Sequence, residues 1–316
     1  MKEIEAATVR YDILMQQDLY VERLTLQKEI TDIVSRKEET RQYYIMYGAK
    51  DVGKSSTVER VVEDMKGVMM LRGTSSDTRD GMLQQLASII RIDVLRPQNS
   101  DFVNSLAKSM SSEGILPTTI VEFENWGGLE GVYAARNIAK NLCDFHNFTI
   151  VFAEANYVQE FHQGRYKVNY IFVDELSESE AREYMKKLKS VLSDEDIKHV
   201  IDNIGTNPGA LRRMRSQING GQSVTDFVAM KLVEARQDFV AFPHKQILKA
   251  FEEHPEGVSP TYFHDTRYKE VDLCNPCNAG PAMMQSNAIA YDMELGRCII
   301  LTRAHHTALR SYTSVV

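Results

Sequence analysis

The sequence predicts an α/β fold: a three-layer core of parallel strands with helices on both faces, then a helical lid, then a small α+β end. Three observations carry this. Short apolar runs alternate with helix-compatible stretches up to residue 176, and that alternation needs crossover connections, which make parallel sheets. From 177 to 236 the pattern reads as helices only. Residues 48–55, Gly-Ala-Lys-Asp-Val-Gly-Lys-Ser, join the first apolar run to a helix through a turn bounded by glycines.

The elements follow in order. Residues 9–36 contain no Gly or Pro, and Val21, Leu24, Leu26, Ile30 and Ile33 recur two to four apart, which predicts one helix with one buried face. A charged connector, Arg36 to Arg41, precedes a strand at 42–47 and a helix at 54–65. Gly67 to Leu71 reads as a buried strand. Residues 72–80 are loop chemistry, and 81–92 and 101–112 fit amphipathic helices. Strands are expected at 118–125, 148–153 and 170–173, with a helix over 129–146. Helices follow at 177–190, 193–204, 208–218 and 224–236. Ser177 with Glu180 spells a capping box, and Thr206-Asn207-Pro208-Gly209 puts proline near a first helical position. The last stretch reads as a helix at 244–253, an apolar run at 258–263, a hairpin around 292–296 and a final helix. The expected domains are a helical lead (1–36), a core (37–176), a lid (177–238) and an end module (239–316).

Composition narrows the function classes. Of 316 residues, 43% are apolar and 26% charged, an ordinary balance for a globular chain. A net charge of −7 argues against a broadly basic nucleic-acid surface. Four cysteines (Cys143, Cys274, Cys277, Cys298) make no disulfide framework in a chain this long. No segment approaches the ~20 apolar residues of a membrane span, and the N-terminus has no signal-peptide core. A cytoplasmic or nuclear setting is expected.

The 48–55 segment carries the chemistry. Polyphosphate oxygens are strongly hydrated, and a protein competes by aiming backbone N–H groups and a helix N-terminus at them. Gly48 and Gly53 let the backbone turn inward without a Cβ clash. The segment Gly48, Ala49, Lys50, Asp51, Val52, Gly53, Lys54, Ser55 and Ser56 is the predicted phosphate cradle. Lys54 is the point charge for the β- and γ-phosphates, and Ser55 is a hydroxyl ligand for Mg²⁺. Asp51, a carboxylate near phosphates, is expected to point to solvent.

A hydrolytic site also needs acids. The strand Ile120-Val121-Glu122-Phe123-Glu124 supplies two, on one face because they are two residues apart. Glu122 is assigned to the Mg²⁺ shell and Glu124 to the attacking water; the reverse assignment stays open, as does a solvent-facing strand. Asn156, or Glu154, stands after the next strand, where a polar group can sense the γ-phosphate.

In that order, several pieces resemble the AAA+-like ATPases of the archaeal-type and signal-transducing (STAND) groups. They are Glu22-Arg23, the 48–55 loop, strands 119–124 and 149–153, Val173-Asp174-Glu175-Leu176-Ser177, and Gly205 to Arg213. The resemblance implies a P-loop NTPase core and ATP rather than GTP. It also implies a lid helix opened by a Gly-x-x-Pro turn, with Pro208 against adenine and Arg212 or Arg213 near the phosphates. It extends to a winged-helix-like module over 239–316. Many STAND proteins carry an arginine where this chain has Glu154-Ala155-Asn156, so any arginine acting in trans comes from elsewhere. Basic and acidic residues nearly balance over 239–316, which favours protein contact or packing over DNA.

Lesser signals complete the reading. Cys274-Asn-Pro-Cys277 is a lone pair of thiols that a zinc site would have to supplement with two more ligands, such as His264, His305 or His306. His305-His306 is expected at a helix surface, and Trp126 as packing. The expected function is an Mg²⁺- and ATP-dependent conformational switch or motor, with a protein partner or self-association. The alternatives are a weakly hydrolytic nucleotide-regulated scaffold and a DNA-associated ATPase, with a small-molecule kinase further behind.

Overall fold

The computed structural model describes residues 20–35, 42–63, 65, 68–73, 118–123, 149–153, 167–187, 192–240, 245–257, 289–292, 297–300 and 302–313. The helices expected at 81–92, 101–112 and 129–146, the 258–263 run, Trp126, His264, Cys274 and Cys277 lie outside these residues. So do the site candidates Glu124, Glu154 and Asn156. The chain divides into two compact units: one of residues 1–13, 23–47 and 54–172, the other of residues 14–22, 48–53 and 173–316.

The first unit is built on a five-stranded parallel sheet. Its strands are β1 (Gln42–Tyr47), β2 (Val68–Gly73), β3 (Thr118–Phe123), β4 (Thr149–Ala153) and β5 (Lys167–Phe172), in the spatial order β2-β3-β4-β1-β5. The first strand in sequence is thus interior, between two later ones. Tyr44, Ile45, Met46 and Tyr47 are all buried, as a parallel strand covered on both faces requires. Tyr47 meets Tyr170 edge-on at 6.3 Å between ring centroids and Phe172 at 5.2 Å. Helix α1 (Leu24–Val34) buries Leu26, Ile30, Ile33 and Val34, and packs on α2 (Lys54–Val62), which buries Thr57, Val58 and Val62.

The sequence predicted one helix from 9 to 36, and the described part departs from that. Residues 20–23 are not helical, and Arg23 has φ −107° and ψ 72°. Two tertiary contacts, both in the second unit, hold them out of the helix. Val21 is buried in the helical core there, and the Tyr20 carbonyl accepts a 2.9 Å hydrogen bond from Lys187 Nζ. Leu24, expected on the buried face, is 74% exposed.

In the second unit, α3 (Glu178–Lys187), α4 (Asp194–Asn203), α5 (Pro208–Asn219) and α6 (Val224–Val240) surround a core of Tyr184, Met185, Ile197, Val200, Leu211, Met214 and Phe227. The caps are those written in the sequence. Ser177 and Glu180 close a capping box on α3, and Ser193 and Asp196 close one on α4. Ser223 accepts from the Asp226 N–H at the start of α6, which runs four residues beyond its expected end.

Beyond it come α7 (Lys245–Glu253), the antiparallel hairpin β6 (Ile289–Asp292) and β7 (Arg297–Ile300), and α8 (Arg303–Thr313). Helix α8 packs on α6 and α7. His305, expected at a helix surface, is buried. Its ring bridges Thr302 Oγ1 (2.6 Å) and Asp238 Oδ2 (3.0 Å) and lies edge-on to Phe239. Periodicity alone could not show this, because the partner carboxylate is 67 residues away.

A candidate polyphosphate site

The parallel sheet sets the frame. In register, Glu122 of β3 stands opposite Ala153 of β4, and Ala153 opposite Met46 of β1. The carboxyl ends of these strands therefore share one edge, where open α/β sheets hold ligands. Two strand spacings of about 4.8 Å separate the rows of Glu122 and Met46. The Glu124 and Asn156 positions follow the carboxyl ends of β3 and β4 in the chain.

At the end of β1 the chain enters the 48–53 turn and leaves it directly into α2. Gly48 has φ 149°, Asp51 φ 63° and Gly53 φ 92°, so three residues in six lie at positive φ. A side chain at Gly48 would run into the Val173 carbonyl. Ala49 and Val52 are buried, whereas Lys50 is exposed. Gly53, the residue before α2, has φ 92° and no side chain, so it adds no side-chain cap to the helix N-terminus. Lys54, Ser55 and Ser56 form that first turn and are half-buried. The donors, the positive helix end and the lysine fit a polyphosphate. Ser55 offers a hydroxyl oxygen, a ligand type that a hard divalent cation takes.

The turn is tied to the start of α5, within the second unit. Asn207 Nδ2 donates to the Lys50 carbonyl at 2.9 Å, and the Gly209 N–H to the Asp51 carbonyl at 3.2 Å. Arg213 Nη1 donates to Asp51 Oδ2 at 2.7 Å. A Cβ on Gly209 would strike the Asp51 side chain. This corrects the expectation that Asp51 points to solvent: the α5 arginine holds it. Of the two arginines considered, Arg213 is the one that reaches the loop. Arg212 is exposed, and with Arg215 it favours the ionised form of Tyr184, whose pKa burial nonetheless raises. Pro208 occupies the first turn of α5, half-buried, while Asn207 Oδ1 accepts from the Gly209 and Ala210 N–H groups at 3.0 and 3.1 Å. The sequence marked Asn207-Pro208 as a helix start; nothing local marked its bond to Lys50.

A second turn stands before α5. Gly205 has φ 92°, and a side chain there would meet the Glu175 carboxylate and the Arg303 Cβ. Glu175 accepts from the Thr206 N–H at 3.0 Å, and Thr206 Oγ1 donates to the Leu176 carbonyl. Burial pushes the Glu175 carboxyl up to about 7; the Thr206 hydrogen bond opposes this and the nearby Asp174 adds to it. Among the described residues, no group of three or more His, Cys, Asp or Glu is placed to hold a metal, and no helix is long and apolar enough to cross a membrane.

Comparison with solved structures decides the fold. The Walker-type ATPase of Pyrococcus abyssi superposes with a TM-score of 0.56, covering 98% of this chain and 100% of that one at 13% identity. The chain shares the fold of that Walker-type ATPase. A STAND protein with a tetratricopeptide-repeat sensor from Pyrococcus horikoshii gives 0.46 at 13% identity, over 99% of this chain but 44% of that one. The ORC2 protein of Aeropyrum pernix gives 0.48 at 9% identity, over 95% and 98%. The shared fold rests on the first of these. No protein-family model matches the sequence, and no curated protein matches it significantly.

Proposed function

We propose that this chain is an Mg²⁺-dependent ATP-binding protein and ATPase that works as a nucleotide-driven conformational switch. The observation that carries the reading is the interior strand β1 running through a positive-φ glycine turn directly into α2, which begins at Lys54. The amides of 48–53 and the first turn of α2 would bind the phosphates, with Lys54 as counter-charge. Ser55 and Glu122 would hold Mg²⁺, which supplies charge neutralisation on the β- and γ-phosphate oxygens. Glu124 would orient and deprotonate water, Asn156 would report on the γ-phosphate, Pro208 would pack on adenine, and Arg212 would lie on the phosphate side. Nucleotide state would pass to the 177–238 helices through the bonds from the 48–53 loop to α5, and from there to the 239–316 module and a protein partner or a second copy.

Calorimetric titration of Mg·ATP into the full chain tests the reading. Binding should be lost, by a hundredfold or more, in Lys54→Ala, while Glu124→Gln should bind normally and cease to turn over. Unchanged affinity in Lys54→Ala would end the proposal. The two acids stand one residue apart from adjacency, which favours slow turnover. A steady-state rate near the ~10 s⁻¹ typical of enzymes would reject that slower variant of the reading.

A further inference from the structure

Asp51 is the only described non-glycine residue with positive φ. Asp and Asn are the ordinary residues that tolerate such a backbone, so its conformation does not by itself require a charge. Yet a carboxylate three residues before Lys54 works against a phosphate cradle. The structure sets one cation against it: Arg213, at 2.7 Å. The Asp51 side chain is 29% exposed and that of Arg213 49%, so water and an incoming polyanion can compete for the pair. The loop does not depend on the pair for its shape. The Gly209 N–H, Asn207 Nδ2 and the Gly209 contact already hold Lys50 and Asp51 by their backbone and Cβ. What the ion pair adds is a decision about charge.

We propose that Asp51 and Arg213 are a self-masking pair that sets how strongly the 48–53 cradle holds a polyphosphate. Asp51 withholds the Arg213 guanidinium from the ligand, and Arg213 cancels the repulsion that Asp51 would exert. This rests on the nucleotide reading above. Both residues act by positioning charge, and neither touches the reacting atoms. Masking predicts opposite signs for the two single variants, whereas a mere brace predicts the same sign for both.

The test is calorimetric titration of Mg·ATP into the full chain at low ionic strength, with thermal unfolding of each variant alongside. Asp51→Asn is nearly isosteric and keeps the left-handed backbone. It should bind about threefold to tenfold tighter, as an unmasked arginine reaches phosphate. Arg213→Gln should bind weaker by a similar factor, about threefold to tenfold. The double variant should return to within about twofold of the unaltered protein. Arg213→Lys should keep most of the affinity. Weaker binding in Asp51→Asn, or no change in either single variant, would overturn the pair's role. Should Lys54→Ala abolish binding while Asp51→Asn leaves it unchanged, the nucleotide reading stands and the masking falls. If the unaltered protein gives no heat, both fall.

Discussion

Two glycine turns lie in the second unit, and they have opposite chemistry. The turn at 205–209 caps its own helix and also bonds the 48–53 turn. Gly205 makes room for the buried Glu175 carboxyl, Asn207 caps α5, and Pro208 removes one N–H that would otherwise need a partner. The turn at 48–53 has the same ingredients, with positive-φ glycines, a close backbone approach at Val173 and a helix next in the chain. It ends, however, on Gly53, which cannot cap α2. One turn carries a side-chain cap for the helix that follows it, and the other carries none. Under the proposed function, that difference marks the second as the one that takes an anion.

Three changes test that contrast. The largest effect belongs to the capped turn and to protons. Because the folded pKa of Glu175 is raised to about 7 from 4.5, its contribution is complete below about 4.5 and is lost as pH rises through about 7. The swing is about 3 kcal/mol. Glu175→Gln should lack this slope in urea unfolding across that window, and parallel profiles for variant and unaltered protein would contradict it. Next comes a cap grafted onto the uncapped turn. Gly53→Asp places a carboxylate on the α2 N-terminus and should lower Mg·ATP affinity by about a hundredfold, or about 2.7 kcal/mol. The fold should survive, because a Cβ there meets nothing within 4 Å and the backbone strain costs about 1–2 kcal/mol. Retained affinity would show that the two turns do not differ as argued. The smallest effect is uncapping the 205–209 turn. Asn207→Ala should cost about 1 kcal/mol of stability by denaturant titration. A loss of Mg·ATP affinity exceeding that stability loss would erase the distinction between the turns.

Much of this was legible in the chain. Strands β1 and β4, the capping box of α3, the proline start of α5 and the terminal hairpin lie within a residue or two of their expected places. Each depends on neighbours a few residues apart, and hydrophobic period and cap chemistry report such neighbours directly. The glycine turn between β1 and α2 was legible for the same reason, as consecutive residues. Two of the errors share a cause as well. Leu24 was assigned to a buried face it does not occupy, residues 20–23 to a helix they do not join, and His305 to a surface. The last two are decided by a partner far away in sequence: Lys187 for Tyr20, Asp238 for His305.

The sequence by itself determined an α/β core with a glycine turn between its first strand and the next helix, because the strand, the glycines, the lysine and the helix start are contiguous and their physics is local. Only the tertiary structure decided what surrounds that turn. Asp51 meets Arg213 across 162 residues, Lys50 meets Asn207 across 157, and Glu175 meets Thr206 across 31. No periodicity encodes those meetings. They exist because separate elements bury their apolar faces together, and the polar groups brought along must then find partners or shift their protonation.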